Sequence, residues 1–160
     1  MRDQSKLSLV CTIVTGAVIV SAFAHQSNAA FPIASNACGD FAAEWNKKPP
    51  QLAFTGCQLE SYDRDAAPKA RYNLAGKDAL LVEQFLQREF GMAPLRFICC
   101  GWEPVVAKGN DRFLKLGSYR DDHGMTYQIA MYSGETLITT RQQWSAIETF
   151  HVEIVQQTPP

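Results

Sequence analysis

The stretch Phe97-Ile98-Cys99-Cys100-Gly101-Trp102-Glu103 (FICCGWE) decides how the chain is read, because two adjacent cysteines end an apolar run and meet glycine, tryptophan and a carboxylate. On a strand, neighbouring side chains point to opposite faces. Extended backbone would therefore send Cys99 and Cys100 to different partners. A bond between the two is disfavoured, since adjacent α-carbons lie about 3.8 Å apart whereas disulfides ordinarily need about 4.4 Å or more. The expectation is two long-range bridges, one from Cys38 and one from Cys57, both ending on this strand. Which cysteine takes which partner stays open. A bridge closing a loop of about 60 residues restricts the unfolded chain by about 4 kcal/mol in the entropy model. A strained vicinal disulfide acting as a redox switch is the lesser reading. A zinc site is weaker still, because no second Cys or His stands at ligand spacing.

Disulfides presuppose an oxidising compartment, and the N-terminus agrees. Arg2 and Lys6 precede an uncharged run from Leu7 to Ala24, which closes in small residues beside polar ones. This is the pattern of a secretory leader. Cleavage fits after Ala24 or after Ala29, and the second is preferred, giving a leader over 1–29 and one domain over 30–160. An uncleaved anchor is the alternative, near the lower length limit for a membrane span. Cys11 and His25 leave with the leader.

With 15 basic and 16 acidic residues the net charge is −1, and losing Arg2, Lys6 and Asp3 makes the balance slightly more acidic. That gives no electrostatic case for nucleic acid or anionic membrane. Hydrophobic residues form 46% of the chain, as in a globular protein.

Patterning sets the fold class. A short helix is expected over 37–46, ended by Lys47-Lys48-Pro49-Pro50. Alternation predicts strands over 51–59 and 69–74, joined by a polar loop over 60–68. Lys77 to Phe90 carries an apolar stripe (Ala79, Val82, Phe85, Leu86, Phe90) with Gly91 placed to cap it. The near-continuous apolar run 95–100 reads as a central strand. The segment 104–118 is less regular, with a turn at Gly109-Asn110. A hairpin turning at Asp121-Asp122-His123-Gly124 puts Met125, Tyr127, Ile129 and Met131 on one face. Thr140 to Gln143 resembles a capping box before a short helix, and Phe150, Val152 and Ile154 alternate in a last strand. The sum is an α+β domain, mostly antiparallel sheet with helices packed on one face and two disulfides.

An early cysteine, a second at "LAFTGC", the "CCGWE" run and the closing "MYSGET" followed by Trp144 and Phe150 resemble a family of small exported bacterial proteins known only as a domain of unknown function. The resemblance covers nearly all of residues 30–160. It implies a periplasmic address and no activity.

Candidate functional residues are few. Trp102 and Glu103 follow a glycine at a strand end, where sheets display binding groups. The tryptophan either anchors a partner or covers the disulfides. Asp121, Asp122 and His123 offer two carboxylates and an imidazole, but Asp, His and Gly are also what a tight turn selects. His151 falls on the solvent side of the last strand. No nucleophile motif or phosphate-cradling loop is present. The expectation is an exported binding protein without cofactor or metal, whose partner is another protein, in the manner of an immunity-type inhibitor of a toxin or hydrolase. Its site would be Trp102, Glu103, Asp121, Asp122 and His123, with no catalytic residue. A small hydrolase using Glu103 with Asp121, Asp122 or His123 is one alternative; a thiol redox protein using Cys99 and Cys100 is another.

Overall fold

Residues 38–62, 65–108 and 111–157 are described by the structure, a computed structural model. They fall within one compact unit, Ala34–Pro160. The leader expected over 1–29, its cleavage site, Cys11 and His25, the start of the first helix at Ala37 and the Gly109-Asn110 turn lie outside the described residues.

Alternating apolar residues build a five-stranded antiparallel sheet. Its strands are β1 (Ala53–Tyr62), β2 (Asp65–Ala75), β6 (Gly117–Arg120), β7 (Thr126–Ser133) and β8 (Thr149–Gln157), in the order β1-β2-β8-β7-β6. Register places Tyr72, Val152 and Met131 in one row and Ala70, Ile154 and Ile129 in the next. All six are buried, so one face of the sheet is dry. Onto it pack α1 (Phe41–Glu44), α2 (Ala79–Phe90) and a 3₁₀ helix, Arg141–Ala146. The fold is therefore α+β, with helices on one face of a mostly antiparallel sheet.

The other face is ionic. Lys69 bridges Glu60 at 2.7 Å and Glu153 at 3.1 Å, Arg71 pairs with the same two carboxylates, and the Tyr132 hydroxyl donates to Glu153. Burial first, and that hydrogen bond second, push the Tyr132 hydroxyl up to about 12. His151 lies on this face, its Nδ1 2.9 Å from Asn73 Oδ1. The lattice explains one difference from expectation. Residues 60–62 and 65–68, read as loop because they are polar, are strand, with Glu60 opposite Ala67 and Tyr62 opposite Asp65. The Glu60 carboxylate pairs with Lys69 and Arg71 on the neighbouring strand instead of being solvated in a loop.

α2 follows the expected stripe, entered through a 3₁₀ turn at Gly76–Asp78. Gly91 ends it in the left-handed region at φ 69°, where glycine carries no steric penalty. The element after Thr140 is a 3₁₀ helix, and the Thr140 hydroxyl bonds the Gln143 side chain rather than a helix amide.

A second, three-stranded sheet consists of β3 (Leu95–Ile98), β4 (Gly101–Lys108) and β5 (Asp111–Leu114), in that order. Here two expectations are corrected. The 95–100 segment is an edge strand, not a central one, and it stops at Ile98. Cys99 and Cys100 occupy the turn to β4, with Cys99 at φ 57°.

The disulfide connectivity is corrected with it. Cys38 bonds Cys57, across 5.4 Å between α-carbons, and Cys99 and Cys100 are free thiols. Cys57 sits on β1, at the edge of the large sheet, where it ties down the segment leading to α1; the cysteine pair belongs to the other sheet. The Asp40 side chain caps α1 at Ala43 N, and the buried Tyr72 hydroxyl accepts from Ala42 N at 3.1 Å. Among the described residues no helix is long and apolar enough to cross a membrane.

Replacing both Cys38 and Cys57 with serine should cost about 3 kcal/mol, the loop-closure value for a bridge of this span. Urea denaturation of that variant beside the parent checks it. An unchanged midpoint would mean the bond does not restrain the unfolded chain.

Candidate functional site

Glu83 lies on the packed face of α2 and is 1% exposed. A buried carboxylate is tolerated only when fully partnered. Its Oε1 accepts from Leu95 N at 2.5 Å, and Arg141 meets both oxygens, at 2.5 and 2.9 Å. Arg141 also donates to the Leu95 carbonyl. Its guanidinium lies 4.6 Å from the Trp144 ring centroid and 5.6 Å from that of Trp102. One side chain of α2 thereby fixes the start of β3 and the start of the 3₁₀ helix.

The groups that Glu83 and Arg141 use on β3 define its orientation. In an antiparallel pair, residues alternate between exchanging backbone bonds with the partner strand and pointing those groups away from it. Leu95 points away from β4, toward Glu83 and Arg141. Pro104, which lacks an N–H, stands opposite it. Phe97, two residues on, therefore points the same way. Its partner across the ladder, Trp102, agrees, since the Trp102 N–H is used by Ser133 Oγ at 2.9 Å. The N–H and C=O of Phe97 thus lie on the open edge of β3, unpaired among the described residues.

That edge runs along a cleft of about 500 Å³, whose wall includes Arg96, Phe97, Ile98, Arg112 and Arg141, with Trp102 at its base. The volume is within the usual range for ligand sites. Arg96 and Arg112 are exposed and form no ion pair among the described residues, whereas Arg141 is held by Glu83.

Of the residues singled out by sequence, Trp102 reaches this cleft, but from below. It is 4% exposed, packs edge-on against Trp144 at 4.9 Å, and donates from its indole to the Ile138 carbonyl. It is not a displayed anchor, and it covers no disulfide. Glu103 is half-buried on β4, opposite Arg96.

Asp121, Asp122 and His123 form the β6–β7 turn. Asp121 Oδ1 accepts from the amides of His123 and Met125, each at 2.9 Å, and its Oδ2 accepts from the Tyr127 hydroxyl. Burial, then that bond, raises the Tyr127 hydroxyl far above its ordinary value. Asp121 is thus committed to the turn, while Asp122 and His123 flank it in solvent. The turn precedes Thr126, and Glu103 follows Trp102, which is bonded to Ser133 at the far end of β7. At about 3.3 Å per residue, β7 separates these ends by roughly 20 Å. Glu103 and the Asp121–His123 group do not converge.

Cys99 and Cys100 are exposed on the β3–β4 turn. Cys100 N donates to Ile98 O at 2.6 Å, and with Cys99 at φ 57° this makes a γ-turn of the rare, strained hand. The hydrogen bond from Cys99 is the main influence raising the Cys100 thiol above its ordinary value, and the Glu135 and Glu103 charges add to it. Such a thiol is a slow nucleophile.

The residues missed by sequence are the three arginines and Glu83. Within the pattern Glu83 reads as a solvent-facing residue beside Val82; only the position of Arg141, 58 residues later, makes it a core group.

Residues 26–102 match a family described only as a domain of unknown function, DUF4952. The match spans all four cysteines discussed above and ends at Trp102. No curated protein and no solved structure matches the chain.

Substituting Glu83→Gln should destabilise the fold by about 3 kcal/mol, because Arg141 loses its counter-charge beside two indole rings. The double substitution E83L/R141M, which removes both charges, should cost less than E83Q alone. Thermal or urea unfolding of both variants decides, and a double variant weaker than the single one would contradict this description of the pair.

Proposed function

We propose that this protein is an exported binding protein that takes an extended, acidic segment of another protein as an added strand along the open edge of β3. The observation that carries the reading is the strand N–H and C=O of Phe97, unpaired among the described residues and lying in a cleft beside Arg96 and Arg112, which form no ion pair among those residues. In strand addition, main-chain hydrogen bonds supply affinity and neighbouring side chains supply selection. Arg96 and Arg112 can each take a carboxylate through two parallel N–H···O bonds. Phe97 and Ile98 offer apolar contact between them.

Export belongs to the same reading. The leader pattern over 1–29 and the Cys38–Cys57 bond support it, since such bonds persist in oxidising compartments, the bacterial periplasm among them. A toxin or hydrolase delivered to that compartment, masked in the manner of an immunity protein, is the partner class that fits. The separation of Glu103 from Asp121, Asp122 and His123 leaves the hydrolase alternative without a convergent site.

The test is calorimetric titration of the full chain with two sets of short extended peptides, one alternating Glu with Val or Thr, the other Lys with the same residues. The acidic set should bind, more weakly as salt rises, and an R96E/R112E variant should lose at least about tenfold in affinity. Equal binding of both sets, or an unaffected variant, would overturn the proposal.

A further inference from the structure

With Cys38 bonded to Cys57, Cys99 and Cys100 are the free thiols of the described residues. They are adjacent, exposed, and together form the tight turn between β3 and β4. The strand-addition reading uses neither: the cleft wall ends at Ile98. We propose that Cys99 and Cys100 form a thiol–disulfide exchange site, which a small-molecule disulfide such as oxidised glutathione closes into a bond between the two neighbouring sulfurs and which small thiols reopen.

Placement favours this pairing over any other. Cys38 and Cys57 already hold each other, so neither competes for a partner. Neighbouring residues stay within reach at all times, so a mixed disulfide formed on one sulfur meets its resolving thiol at an effective concentration no external thiol matches. The turn also resists drifting away from this arrangement. Thr136 N donates to the Cys100 carbonyl at 2.7 Å, and Ser133 Oγ receives the amide of Trp102.

The exchange balances without a further reagent. A Cys99 thiolate attacks one sulfur of the oxidant; the oxidant's S–S bond breaks and one small thiol leaves. Cys100 then gives its proton to water and attacks Cys99 Sγ. The new Sγ–Sγ bond forms and the second small thiol is expelled. Two electrons and two protons have passed from the pair to the oxidant, which ends as two thiols.

The product is easily reversed. Adjacent α-carbons about 3.8 Å apart are closer than the roughly 4.4 Å that unstrained disulfides prefer, and strained, exposed disulfides are the labile ones. Because Cys100 holds its proton more tightly than an ordinary thiol, the site equilibrates slowly with its surroundings and does not resemble a fast oxidoreductase.

The experiment incubates the purified full chain in oxidised or reduced glutathione, labels remaining thiols with a maleimide, and maps proteolytic fragments by mass. In reduced glutathione both Cys99 and Cys100 should be labelled. In oxidised glutathione both should resist labelling, and the fragment carrying them should be lighter by two hydrogens, with the Cys38–Cys57 fragments unchanged. In the same buffer a Cys100→Ser variant should retain glutathione on Cys99, because the resolving thiol is gone. Persistent glutathione adducts on Cys99 or Cys100 of the parent chain, a bond from either residue to Cys38 or Cys57, or labelling of the pair that ignores the oxidant would each overturn the proposal.

Discussion

The carboxylate of Glu83 is the constraint on which the arrangement of the two sheets rests. Removing a carboxylate from water costs several kcal/mol unless its oxygens are occupied, and here they take a β3 amide and both arms of the Arg141 guanidinium. The three partners come from three elements. α2, β3 and the 3₁₀ helix cannot shift independently without exposing or orphaning a charge. The two indoles that face Arg141 reinforce this, since Trp102 belongs to β4 and Trp144 to the 3₁₀ helix.

The candidate site follows from this anchoring. Because Leu95 gives both of its backbone polar groups to the Glu83–Arg141 pair, the alternate residue on the same edge, Phe97, presents its own pair outward. The same anchoring fixes Arg141 in the cleft wall, leaving Arg96 and Arg112 as the cations open to a ligand. The large sheet offers less on its broad surfaces. One face is filled by α1, α2 and the 3₁₀ helix, and the other is occupied by the lattice of Glu60, Lys69, Arg71 and Glu153. The small sheet combines a strand edge, a cleft and two arginines that form no ion pair among the described residues.

Much of the fold was legible along the chain. The stripe in α2, the alternation of Tyr127, Ile129 and Met131, and that of Phe150, Val152 and Ile154 each report one dry face and one wet one. What escaped was decided by cross-strand pairing, by strand position in the sheet and by turn geometry, none of which residue alternation reports. Residues 60–62 and 65–68 read as loop because a carboxylate that pairs across a sheet, as Glu60 does with Lys69 and Arg71, gives a segment the same polar composition as solvation does. The run before Cys99 looked central because its apolar residues face both the core and the cleft. Cys99 and Cys100 looked like strand neighbours on opposite faces, but Gly101 begins a new strand and the two residues make the turn, where local geometry replaces alternation. Of the candidate site, Trp102 reads from sequence as a displayed or covering group and is instead buried against the cleft. The arginines carry no local signal, since a charged residue at an edge reads as ordinary surface.

Site-resolved amide hydrogen exchange on the native protein tests the central claim most directly, by comparing Leu95 with Phe97. If the Glu83–Arg141 pair anchors β3 as described, the Leu95 amide is strongly protected while the Phe97 amide, on the open edge, exchanges much faster. Equal protection of the two, or an unprotected Leu95 in the folded state, would contradict both the anchor and the open edge that depends on it.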